Sequence, residues 1–276
     1  MLVTLPDGCN LNVEEVGSGF PLIVLHGGPG LDHSMFRPYL DSLGDEFRLL
    51  YVDERGQGRS DRVEPATLSL EVFARDVDLL AEALQLEGFA LLGHSFGAII
   101  ATWHATELGT ATAYVISAGG DSSEALDADV AAALAALGDE GKAIAASWAA
   151  EESVETEEQL RQLLSDQLPF HFYGKPPTGY LEDMVGSPDV LRHFARIGYG
   201  AFDYRPKLGE VDKPVLVIVG EHDHTTTPRA ARVLHEGIPN SELLVIPDAG
   251  HMSFVEQTAP YVAATRRFLS GVAVQA

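Results

Sequence analysis

Basic residues are scarce in this chain: 18 Lys and Arg face 41 Asp and Glu, a formal charge of −23 over 276 residues. So acidic a surface repels phosphate backbones and anionic lipid, and neither nucleic acid nor membrane is expected as a partner. Cysteine is scarcer still, since Cys9 alone cannot close an internal disulfide. No apolar run reaches the ~18–20 residues of a membrane span. Met1–Gly8 has neither the basic stretch nor the apolar core of a secretory leader. The expectation is a soluble, cytoplasmic protein. With no HExxH motif, no close Cys/His cluster and no dinucleotide fingerprint, no metal and no cofactor are expected either.

What is present suits a globular domain carrying an insertion, with 46% hydrophobic residues. Short apolar runs recur at 21–25, 48–52, 89–92, 113–116, 215–219 and 243–246, most of them separated by helical patterns. Leu70 to Leu86 is one such pattern, with Val72, Phe73, Val77, Leu80, Ala81 and Leu84 on one face. Alternation of this kind predicts an α/β fold, a mostly parallel sheet with helices on both faces. Leu2–Leu5 and Leu11–Val16, around Pro6-Asp7-Gly8, predict an opening hairpin. The alternation lapses between about Asp121 and Tyr204. Residues 1–120 and 205–276 are therefore read as the core and 121–204 as a helical cap over the carboxyl edge of the sheet, where open α/β sheets bind ligands. The Glu-rich stretch 151–158 is read as a solvated helix face.

Gly93-His94-Ser95-Phe96-Gly97 has the form G-x-S-x-G between a strand and a helix start. A turn that sharp strains the serine, exposes its hydroxyl at the sheet edge and sets it over a helix N-terminus. Ser95 is thus the candidate nucleophile. A serine hydroxyl needs a base. In the chain order Ser, acid, His, only His222, His224, His235 and His251 come late enough. His251, in the turn Pro247-Asp248-Ala249-Gly250, lies just beyond the last strand and is the candidate base; His235 falls within a helix. Asp223, on the loop after 215–219, is the candidate acid, with Glu221, Asp248 and Asp121 as rivals. The oxyanion donors expected are the N–H groups of Phe96 and, from His26-Gly27-Gly28-Pro29-Gly30, Gly28, with Gly30 as the alternative. His26 is expected to brace that loop.

Together HGGPG at 26–30, Asp53-Glu54-Arg55-Gly56-Gln57-Gly58-Arg59-Ser60, GHSFG at 93–97 and Gly250-His251 resemble the proline iminopeptidase family. The resemblance implies an α/β-hydrolase with a helical cap that releases an N-terminal residue, often proline, from short peptides through Ser95, Asp223 and His251. It also casts Arg55 as a loop brace paired with an acid such as Asp53. The pattern departs at the elbow, GHSFG where many iminopeptidases resemble GGSWG. It departs again where related aminopeptidases hold the substrate ammonium with glutamates: His224 follows Asp223, and Arg192-His193 precede Phe194. Glu182, Asp183 or the 151–158 cluster are the substitutes available. The alternative reading is an esterase for small acyl esters or lactones using the same triad, with a pocket of groups such as Phe170, Phe172, Tyr173 and Phe202. A non-catalytic binder has no need of the three residues together. The substrate expected is a small molecule or short peptide; the sequence does not set the oligomeric state.

Overall fold

The structure is a computed structural model that describes residues 1–273. In chain order it runs β1 (Leu2–Thr4), β2 (Asn10–Gly17), β3 (Phe20–Leu25), β4 (Phe47–Asp53), α1 (Leu70–Ala83), β5 (Ala90–His94), α2 (Phe96–Glu107) and β6 (Ala113–Ser117). Four longer helices follow without a strand: α3 (Ser123–Ala136), α4 (Asp139–Ala150), α5 (Glu157–His171) and α6 (Pro188–Arg196). The chain then returns through β7 (Val215–Gly220), α7 (Pro228–Gly237), β8 (Ser241–Ile246), α8 (Ser253–Glu256) and α9 (Thr258–Ala273). Among the described residues these strands form one sheet in the order β1-β2-β4-β3-β5-β6-β7-β8. β1 and β2 are the antiparallel edge, and from β4 onward every pairing is parallel.

Side chains alternate across each strand, which gives the sheet two apolar faces. Ile23, Leu25, Leu91, Tyr114, Ile116 and Val217 pack under α1, α2 and α7. Leu22, Val24, Leu92, Val115, Leu216 and Ile218 pack against Phe254, Tyr261 and Phe268 of α8 and α9. The helix expected to Leu86 stops at Ala83 and begins with the Ser69 hydroxyl accepting the Val72 N–H. No described helix is long and apolar enough to cross a membrane.

Between β6 and β7 the chain adds no strand to the sheet among the described residues, and one isolated bridge, Ser122 to Asp203, joins the two ends of the segment to each other. Its helices are tied to the rest at separated points. Arg229 of α7 pairs with Asp121 (2.9 Å) and Asp129 (2.7 Å), the Ser187 N–H donates to the Gly30 carbonyl (2.8 Å), and the Met252 N–H donates to the His171 carbonyl (3.2 Å).

Candidate active site

Ser95 stands between β5 and α2 at φ 55°, ψ −114°. That conformation costs a non-glycine residue about 1–3 kcal/mol and persists only where its surroundings enforce it. Here the Ser95 N–H is held by the Ser117 carbonyl (3.0 Å) and the Gly97 N–H by the His26 carbonyl (2.9 Å). The two glycines are required by close approach: a Cβ on Gly93 would collide with the Gly97 carbonyl, and one on Gly97 with the Leu25 carbonyl. The Ser95 hydroxyl makes no hydrogen bond to a described residue. It opens instead on a cavity of about 330 Å³ that His251 also lines.

His251 Nδ1 lies 2.9 Å from Asp223 Oδ2. Asp223 is fixed on both oxygens, Oδ1 accepting the Thr225 and Thr226 N–H groups (2.8 and 3.0 Å) and Oδ2 the Thr226 hydroxyl (3.0 Å). Burial works to raise its pKa, but His251 and these donors outweigh it and keep the carboxyl below its usual range. The rival acids are engaged elsewhere. Asp121 pairs with Arg229, and exposed Glu221 lies 3.9 Å from His222. Asp248, at φ 51°, holds the turn before His251. His235, on α7, bonds Ser241 at the start of β8.

The N–H groups of Gly28 and Phe96 make no hydrogen bond among the described residues, and both residues line the cavity. The Gly30 N–H is already donated to Gln57 Oε1, which removes Gly30 as an alternative donor. Behind this loop lies a buried chain. Gln57 Nε2 donates to Glu54 Oε2 (2.7 Å), the Glu54 N–H donates to His26 Nε2 (3.3 Å), and His26 Nδ1 meets the Gly27 carbonyl (2.7 Å). Among the described residues Glu54 Oε1 has no partner, and burial pushes the carboxyl up to about 7 against the ordinary 4.5.

A raised folded-state pKa means the native state binds that proton more tightly than the unfolded chain. The stability that Glu54 contributes is therefore complete below about pH 4.5 and lost as pH rises through about 7. Glu54→Gln and the parent should melt close together at pH 5. By pH 8 the variant should be the more stable, by up to roughly 3 kcal/mol. Differential scanning fluorimetry at both pH values checks this, and a gap that shrinks on raising the pH refutes it.

Asp32, His33 and Asp53 bring candidate ligand atoms within 4.8 Å of one another. Arg59 already supplies a cation there, pairing with Asp32 (2.5 Å) and lying 3.9 Å from Asp53. Asp53 is thus taken by His33 and by the Arg59 N–H, and it does not pair with Arg55. Arg55 binds Asp76 and Asp7 instead, bracing α1 to the opening hairpin.

Helices of the 121–204 segment complete the cavity. Leu126, Trp148, Leu164 and Leu191 bring apolar surface, and Asp127, Glu151 and Glu152 bring carboxylates. Glu151 departs from the solvated face expected of its cluster. It is buried, with Gln167 Nε2 donating to Oε1 (2.7 Å) and the Tyr199 hydroxyl to Oε2, and burial raises its pKa. Arg192, one of the residues in place of the expected glutamate, donates to the Val154 carbonyl in the middle of that cluster. Of the aromatic groups expected in an ester pocket only Phe202 lines the cavity. Phe170 packs on Trp148, Phe172 on Tyr180, and exposed Tyr173 on His222.

Two further histidines crowd His251. The His94 ring centroid is 4.9 Å from that of His251, and burial beside His251 and His171 holds its pKa well below the usual value. His94 therefore backs the His251 ring, which gives the departure from the glycine of GGSWG a packing role. His171, which the sequence pattern did not single out, is 5.3 Å from His251.

Comparison with known proteins places these features in a family. A 3-oxoadipate enol-lactonase from Acinetobacter baylyi is 25% identical over 284 residues, covering 99% of this chain and 97% of its own. A proline iminopeptidase from Heyndrickxia coagulans is 26% identical over 277 residues, covering 94% and 93%. The crystal structure of a proline iminopeptidase from Mycobacterium smegmatis superposes with a TM-score of 0.80 at 22% identity, over 100% of this chain and 99% of its own. The family model described as alpha/beta hydrolase fold matches residues 21–258, and the chain belongs to that family.

Proposed function

We propose that the protein is a serine hydrolase that releases an N-terminal residue from short peptides through an acyl-serine intermediate, with residues 121–204 as the cap over its site. Ser95 Oγ attacks the scissile carbonyl while His251 Nε2 takes its proton. Asp223 holds the imidazole by Nδ1 and stabilises the imidazolium. The Gly28 and Phe96 N–H groups receive the negative charge that develops on the carbonyl oxygen. Collapse expels the amine, which takes the proton from His251; a water then repeats the sequence on the acyl-serine and frees the acid.

Glu151 carries the choice of a peptide substrate. Of the three carboxylates that the segment brings to the cavity Glu151 is the buried one, and it suits a substrate ammonium, whose charge offsets the desolvation that raises the Glu151 pKa. The Trp148, Tyr199 and Phe202 rings also line the cavity, and aromatic rings favour a cation. Kinetics on an amino-acyl naphthylamide and its N-acetyl derivative test this. Acetylation should abolish turnover, and Glu151→Gln should cost kcat/KM about 10- to 100-fold on the free amine, the loss of one charged hydrogen-bonded contact of about 1.5–3 kcal/mol. The second reading, a carboxylesterase or lactonase, draws support from the apolar wall and the enol-lactonase relative. Unimpaired cleavage of acetylated substrates would replace the first reading with the second.

A further inference from the structure

His171 ends α5, inside the 121–204 segment, yet it leans on the same loop as the proposed base. Its Nδ1 lies 3.1 Å from the Thr225 hydroxyl, and the Thr225 N–H donates to Asp223 Oδ1. His251 is held on that loop too, by Nδ1 to Asp223 Oδ2. The two rings are 5.3 Å apart and tilted by 39°. Both are anchored by Nδ1, so both Nε2 atoms lie on the edges away from the loop, and both residues line the cavity. Nε2 of His171 has no partner among the described residues. In the tautomer that protonates Nε2, the Thr225 hydroxyl donates to His171 Nδ1 and the free Nε2–H faces outward.

We propose that His171 Nε2–H is a specificity-determining donor for a carbonyl on the leaving-group side of the substrate, such as the peptide carbonyl of its second residue. The inference rests on acyl transfer by Ser95 and His251 and holds for amide and ester substrates alike. In that reaction the departing atom takes its proton from His251 Nε2, so the leaving side of the substrate must lie against that edge of the ring. The neighbouring donor there is His171. Burial, with His251 alongside, holds the His171 pKa down at about 3. The ring thus stays a neutral donor and brings no charge to the imidazolium that forms beside it.

The test compares leaving groups on one acyl group in the full-length protein: glycinamide against 2-naphthylamine for amides, glycolamide against nitrophenol for esters. The first of each pair carries the carbonyl and the second lacks it. His171→Phe should lower kcat/KM at least tenfold more on the carbonyl-bearing member. His171→Gln, which restores a donor, should bring back most of that difference. Thr225→Val, which frees the tautomer, should reproduce part of it without touching the ring. Ser95 labelling by a fluorophosphonate, which offers no such carbonyl, reports the nucleophile and base separately. Equal losses on both members in all three variants would mean that His171 only props His251, and would overturn the inference. Failure of the parent to label at Ser95 would bring down the acyl-transfer reading and this inference with it.

Discussion

Replacing Ser95 by alanine should reduce hydrolysis by about 10⁴- to 10⁶-fold while the protein stays folded, because triad members act as a unit and the loss of one forfeits nearly the whole. The fold should survive because the hydroxyl bonds nothing among the described residues, so its loss leaves no buried partner unsatisfied. What holds the strained turn is backbone: Ser95 N–H to Ser117, Gly97 N–H to His26, and the bare glycines at 93 and 97. A methyl group at position 95 disturbs none of these. The parent and Ser95→Ala should give matching melting temperatures within a few degrees, and only the parent should be labelled by a fluorophosphonate. Turnover within tenfold of the parent would remove Ser95 as nucleophile.

Asp223→Asn should cost about 10⁴-fold in kcat, by tautomer rather than by collapse. Oδ1 accepts two backbone N–H groups and must remain an oxygen. The new NH₂ is therefore forced to the Oδ2 side, facing His251 Nδ1 and the Thr226 hydroxyl. His251 can then only accept at Nδ1. Its proton moves to Nε2, the atom that must receive the serine proton. Glu221→Gln, on an exposed side chain, should leave the rate within about threefold, as surface changes away from a site generally do. Circular dichroism with steady-state kinetics on both variants separates the two cases. A larger loss in Glu221→Gln would move the acid to that residue.

The parts of the site legible in the sequence are those set by local turn chemistry and chain order. The elbow is legible because only glycine fits 93 and 97. His251 and Asp223 are legible because each follows directly on a strand, and the carboxyl ends of parallel strands share one edge. The contributions of Glu151 and His171 depend on how α3 to α6 pack, which no spacing rule reports. Glu151 lies in a run of acids that looks solvated, and its burial comes from Gln167 and Tyr199, 16 and 48 residues away. His171 follows Pro169 in a helix with a capped start, and what marks it is Thr225, 54 residues on. The partner of Arg55 is hidden for the same reason: Asp53 is near in sequence, but Asp76 on α1 is the acid that faces the guanidinium.

The separated ties of the 121–204 segment divide it for anyone wishing to re-engineer it. α3 is clamped by Arg229, the end of α5 by Met252, and the approach to α6 by Gly30, within the loop that carries one proposed oxyanion donor. Sequence changes there would be felt by the turnover machinery itself. α4, by contrast, makes no hydrogen bond or ion pair with the sheet or its flanking helices among the described residues, yet it delivers Trp148 to the cavity. Libraries aimed at new substrates should therefore be concentrated on Asp139–Ala150, where variation can reshape the chamber while the clockwork beneath keeps its timing.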